Sequence, residues 1–86
     1  MGINGLIKIL KKKLTKKIKI NNIKIEDKSF LHKKHQNFNK DKFHIKLTIE
    51  SSELSKISSI EANRKIYDIL KEEMNRSIHS LQIIIL

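Results

Sequence analysis

Between Phe43 and Glu50 the apolar residues Phe43, Ile45, Leu47 and Ile49 alternate with His44, Lys46, Thr48 and Glu50. A period of two sustained over this length is the pattern of a strand with one buried face. Behind it, Ser58 followed by Glu61 has the spacing of a capping box, in which hydroxyl and carboxylate satisfy free donors of a first helical turn. Ala62, Ile66, Ile69, Leu70 and Met74 then form an apolar stripe at helical spacing, which predicts a second helix over about 59–75. Asn75-Arg76-Ser77 reads as a turn, and Leu81 to Leu86 is Ile-rich, as a strand buried on both faces would be. Strand, helix and strand in one sheet close by a right-handed crossover, so these two strands are expected to run parallel.

The first half of the chain supplies the other elements. Leu6, Ile7, Leu10, Leu14 and Ile18 recur on one face of a helix over about 3–18, while Lys8, Lys11, Lys12, Lys13, Lys16 and Lys17 take the others. Asn21-Asn22 interrupts that pattern, Ile23-Lys24-Ile25-Glu26 alternates as a strand, and about 32–42 is a polar, aperiodic loop. The expectation is a single small α+β domain spanning residues 1–86: helix-strand-strand-helix-strand, with a three-stranded mixed sheet and the helices on one face. A chain of 86 residues buries only a modest core.

Composition narrows the chemistry. The absence of Cys removes disulfides and any thiolate metal site built by this chain alone. The longest apolar run, Ile83 to Leu86, is strand-sized, so no membrane association is expected. No nucleophile-base pair or paired carboxylates stand at usable spacing, so an enzyme is not expected. A net charge of +10 points to anionic partners, but the excess is almost all Lys, accompanied by abundant Ile and Asn. AT-rich coding writes the same composition into any protein, which weakens charge as a functional signal. A cytoplasmic location is expected; the alternative is a mitochondrial or plastid matrix, because Met1 to Ile25 is acid-free, basic and amphipathic in the manner of a presequence.

The histidines carry the chemistry. His32 and His35 follow the first strand, His44 begins the returning strand, and His79 opens the last. If the strands around the crossover are parallel, all four histidines gather at one end of the sheet. Neutral imidazole ligates iron, zinc and copper, yet without a thiolate or a nearby carboxylate such a cluster is an incomplete site.

Ile66-Tyr67, Leu70, Glu72-Glu73-Met74 and Ile78-His79-Ser80-Leu81, together with Asp27-Lys28-Ser29-Phe30-Leu31-His32, resemble the BolA-like family over nearly the whole chain. The resemblance implies a KH-like fold and a non-enzymatic partner of a monothiol glutaredoxin, monomeric when alone. It further implies a shared 2Fe-2S cluster, for which the glutaredoxin supplies its cysteine and a glutathione thiol. Carried over to this sequence, the C-terminal ligand falls on His79 and the loop ligand on His32, with His35 as the alternative; His44 and Arg64 match as partner-binding or supporting residues. The implied role is cluster delivery or iron and redox signalling. The alternative is a KH-like nucleic-acid-binding transcriptional regulator, in which Lys11, Lys12 and Lys13 contact phosphates weakly and without sequence preference. Departures from the family pattern fall on the second helix and the loop before it. Ala62-Asn63-Arg64 stands where the family has Arg-His-Arg, and Lys56 stands at its glycine. A Gly-x-x-Gly nucleic-acid clamp is absent, since the only glycines are Gly2 and Gly5.

Overall fold

The computed structural model describes residues 2–29 and 42–86. Its elements are α1 (Ile3–Lys17), β1 (Asn22–Asp27), β2 (Phe43–Glu50), a short 3₁₀ turn (Leu54–Lys56), α2 (Ser59–Ile69), α3 (Lys71–Arg76) and β3 (Ile78–Ile85). The expected loop over about 32–42 lies, except for Lys42, outside the described residues.

The sheet has the order β1-β2-β3. β1 pairs antiparallel with β2, from Asn22 opposite Glu50 to Asp27 opposite Ile45. β3 pairs parallel with β2, as the crossover argument requires. The inward row of β2, Ile45, Leu47 and Ile49, is buried, and the helices cover that face with Leu6, Leu10 and Leu14 of α1 and Ala62 and Ile66 of α2. Leu6, Leu10 and Leu14 are spaced by one helical turn each, which is why a helix so rich in lysine still docks. The opposite face carries His44, Lys46, Thr48 and Glu50 of β2, and among the described residues no helix packs over it.

Local signals behave as their chemistry demands. Ser58 Oγ accepts the Glu61 N–H at 3.1 Å, capping α2. Ser51, buried just after β2, donates its hydroxyl to the Lys19 carbonyl at 2.6 Å and accepts the Leu54 N–H at 3.1 Å. A single hydroxyl thereby ties the α1–β1 connection to the turn that leads into α2.

Three expectations need correction. The second helix is divided at Leu70, whose φ of −99° and ψ of 17° leave the helical range. Leu70 is fully buried, and the bend at this anchor turns α3 so that Glu73 lies against α1. The turn expected at Asn75-Arg76-Ser77 begins later, because α3 runs through Arg76. Finally, β3 is not buried on both faces: it forms one margin of the sheet, Leu81 and Ile83 to Ile85 are half-buried, and Leu86 is exposed.

Glu73 is the acidic residue that the core accommodates. Its Oε2 accepts from Lys13 Nζ at 2.8 Å, while Oε1 is buried without a hydrogen-bond partner among the described residues. The hydrogen bond to Glu73 raises the Lys13 pKa above its ordinary value; nearby Glu72 adds to the effect, and Arg76 and partial desolvation oppose it. A pKa raised by folding stabilises the folded state fully below the unfolded value and loses that contribution as pH rises through the folded one. Lys13→Met should therefore lower the melting temperature at neutral pH, leaving Glu73 buried without its cation. The gap to the parent should narrow as pH climbs through the lysine range, as thermal unfolding followed by circular dichroism would record. A gap constant across that range would mean that Lys13 acts by packing alone.

A histidine pair at the end of the sheet

Asp27, at the end of β1, accepts the Ser29 N–H on Oδ1 at 2.9 Å, a local turn that brings Ser29 back over β2. Ser29 Oγ then accepts the His44 N–H at 3.1 Å, and the His44 carbonyl accepts the Lys28 N–H at 2.7 Å. His44 is thus fixed at its backbone from the β1 side.

On the other side the ladder contains an irregularity. Phe43 lies opposite Ile78, but His44 lies opposite Ser80, so the register slips by one residue and His79 has no counterpart on β2. A bulge of this kind lets successive residues of one strand share a face. Ile78 is buried toward the helices, His79 and Ser80 are both exposed, and Leu81 returns toward the core. The Phe43 N–H donates to the Ser77 carbonyl at 2.8 Å, which fastens the chain just before the slip. Tyr67 fastens it after: its hydroxyl donates to the Leu81 carbonyl at 3.2 Å. Tyr67 is itself 40% exposed, and its hydroxyl clamps β3.

The result is a pair of imidazoles. The His44 and His79 ring centroids are 4.8 Å apart with planes tilted by 39°, and His44 Nδ1 lies 2.6 Å from Ser80 Oγ. Two of the four histidines therefore meet at the end of the sheet where the topology places them. The other two, His32 and His35, lie outside the described residues. Among the described residues no group of three His, Cys, Asp or Glu side chains is arranged to hold a metal ion. Arg64 is exposed on α2. Lys11 and Lys12 are exposed as expected, but Lys13 is not a free phosphate contact, since Glu73 and Glu72 engage its ammonium at 2.8 and 3.8 Å.

Ser80 has no assigned role in the sequence reading, although a signal for it is present. The inward residues of β3 run Ile78, Leu81, Ile83 and Ile85, and the single spacing of three among spacings of two marks where the strand must bulge.

Helices on one face of a three-stranded mixed sheet, with paired histidines where β2 and β3 begin, define a small α+β class. A BolA-like protein family model matches residues 14–86, and the chain belongs to that family. It is similar to the "DNA-binding transcriptional regulator BolA" of Haemophilus influenzae, with 34% identity over 73 residues that cover 85% of this chain and 68% of the relative. Among solved structures it is similar to the BolA domain of SufE1 from Arabidopsis thaliana, at TM-score 0.78 and 28% identity, covering 99% of this chain and 92% of the other. BolA1 from Arabidopsis thaliana shares the fold, with TM-score 0.76, 24% identity and coverage of 91% and 86%.

Ser80→Ala tests the support of His44. The variant should lose less than about 1 kcal/mol of stability, the low end for an exposed hydrogen bond. It should also release the His44 ring from a single preferred tautomer, which side-chain nitrogen chemical shifts would report; unchanged shifts would show that Ser80 does not orient the ring.

Proposed function

We propose that this chain is a non-enzymatic partner of a monothiol glutaredoxin, shares a 2Fe-2S cluster with it, and acts in cluster delivery or iron and redox signalling. The observation that supports this reading most is the placement of His79: exposed, at the register slip, beside His44. The donor set fits a contributing role. With no Cys in the chain, the residues can offer imidazole but no thiolate, so the sulfur ligands must arrive with the partner and its glutathione. His79 would hold one iron, and His32 or His35 would supply the loop ligand. His44 supports the site by packing beside His79. When bound, a cluster with imidazole in place of thiolate has a raised reduction potential and a proton-sensitive ligand, which suits transfer or sensing.

The test is co-expression with a monothiol glutaredoxin in the presence of glutathione, followed by visible absorption and circular dichroism. His79→Ala should abolish the spectrum characteristic of the mixed complex while the far-ultraviolet signal of the chain is kept. A spectrum identical to that of the parent complex would sink the assignment.

The second reading, a nucleic-acid-binding regulator, is favoured by the name of the Haemophilus influenzae relative, a DNA-binding transcriptional regulator. The exposed lysines of α1, Lys8, Lys11, Lys12, Lys16 and Lys17, offer charge but no base-reading groups. Binding to duplex DNA should then be indifferent to sequence, fall steeply with salt, and stay within about 10⁻⁴ to 10⁻⁶ M near physiological ionic strength. A preferred sequence bound about a thousandfold more tightly than scrambled DNA, as specific binders achieve, would make this the better reading.

A further inference from the structure

The outer margin of β3 is an open edge. Along a ladder, the backbone groups of a strand alternate between its two sides. The Leu86 N–H donates to the Ile49 carbonyl at 2.8 Å, which turns the even-numbered residues of β3 toward β2 and the odd-numbered ones away. The Leu81 carbonyl, on the outer side, accepts from Tyr67, as this alternation requires. The N–H and C=O groups of Ile83 and Ile85 therefore face outward, where no strand among the described residues pairs with them. Proteins ordinarily blunt such an edge with charge. The β1 margin is blunted in this way, since Glu26 engages Lys24 at 3.8 Å and Lys28 at 2.9 Å. The β3 margin is bare: no Lys, Arg, Asp or Glu occurs from Ser77 to Leu86, in a chain of net charge +10. Exposed apolar side chains gather beside it. Ile60 and Tyr67 lie about two turns apart on one face of α2. Tyr67 reaches Leu81, and Ser59 and Ala62 line one groove with Ile85 and the exposed Leu86, so this helix face borders the margin. We propose that the edge of β3 and the adjoining face of α2 form a self-association surface, on which a second copy of this chain pairs antiparallel, edge to edge.

The surface is complementary to itself. A two-fold axis at Ile84 sets Ile83 opposite the counterpart of Ile85, so the outward N–H and C=O groups of both residues find partners in each copy. Half-buried Leu81, Ile83 and Ile85 then continue their apolar row from one copy into the next. Ile60 lies at the Leu86 end of β3 and Tyr67 at the Leu81 end, so the antiparallel arrangement brings Ile60 against the counterpart of Tyr67. Charge selects the occupant. Two copies at +10 repel, and they can meet only where charge is absent, as along this strand. An acidic partner would be drawn instead to the exposed lysines of α1. The dimer departs from the monomer that the family resemblance implies. It does not rest on the proposed metal role, because His79 precedes the paired stretch.

Sedimentation equilibrium of the untagged chain across the micromolar range should show a mass rising from 10.1 kDa toward twice that value. Association should strengthen as salt screens the repulsion between copies. Amide exchange followed by nuclear magnetic resonance should slow at least about tenfold at Ile83 and Ile85 over the same concentrations, because pairing closes N–H groups that are open in the single copy. Ile84, opposite Thr48 in the outward row, can be changed without touching the core. Ile84→Lys sets two ammonium groups face to face at the axis and should weaken association at least about tenfold. Ile60→Lys, at a side chain that is 66% exposed, should also weaken it. Asn22→Lys, which adds the same charge at the β1 margin, should leave it unchanged, with far-ultraviolet circular dichroism confirming the fold of each variant. A mass of 10.1 kDa at every concentration would overturn the proposal, as would a mass that grows beyond the dimer or association lost as salt rises. It would equally fail if Ile84→Lys dimerised like the parent, if Asn22→Lys lost as much as Ile84→Lys, or if the Ile83 and Ile85 amides were already protected in the single copy.

Discussion

β2 is hydrogen-bonded on both sides, antiparallel to β1 and parallel to β3, and its inward row of Ile45, Leu47 and Ile49 is the surface on which the helices close. In so short a chain this strand sets the geometry of everything else. α1 contributes a narrow stripe of leucines, while Lys8, Lys11, Lys12, Lys16 and Lys17 are held out to solvent. α2 and α3 contribute Ala62, Ile66, Leu70 and part of Met74. Burial at β2 therefore supplies the driving force. The polar contacts, Ser51 to Lys19 and Leu54, Tyr67 to Leu81, and Lys13 to Glu73, choose one arrangement of the peripheral elements around it.

The same strand creates the histidine pair. A regular parallel ladder with Phe43 opposite Ile78 would set His44 beside His79 and turn Ser80 inward. The slip inserts His79 as an extra residue, so His79 and Ser80 both stay on the outside, one against the ring of His44 and the other on its Nδ1. Leu81 then resumes the inward row that ends at Ile85. The irregularity thus preserves the core pattern on one face and concentrates polar side chains on the other, a recurrent use of bulges near functional residues.

The strand-helix-strand core, the parallel pairing and the capped start of α2 are legible in the sequence because each rests on a local signal: period two at Phe43–Glu50, period 3.6 from Ala62 to Leu70, and Ser58 three residues before Glu61. Convergence of His44 and His79 is legible for a different reason, since topology alone brings the starts of parallel strands together. Features that depend on contacts distant in sequence are not. Glu73 matches a helical position and gives no local hint of burial, because its partner Lys13 lies sixty residues earlier. The bend at Leu70 contains no Gly or Pro and follows from how the buried leucine anchors α3. The margin position of β3 is also hidden in its composition, since an Ile-rich strand looks the same at the centre of a sheet and at its edge.

The absence of thiolate has one physical consequence for the proposed metal reading. Imidazole is neutral, so two such ligands neither offset the charge of a divalent ion nor complete its coordination, and the remainder must come from solvent or from a partner. The positive surface around the lysine-rich α1 would repel free cations while attracting an acidic partner surface. An exposed His79 beside a His44 backed by Ser29, Lys28 and Ser80 is, on that reading, suited to meeting a metal centre carried by another molecule. On the proposed reading, rigidity lies in the backbone at the end of the sheet and exchange lies in the exposed imidazole of His79, so a metal centre can be accepted and released without disturbing the core beneath β2.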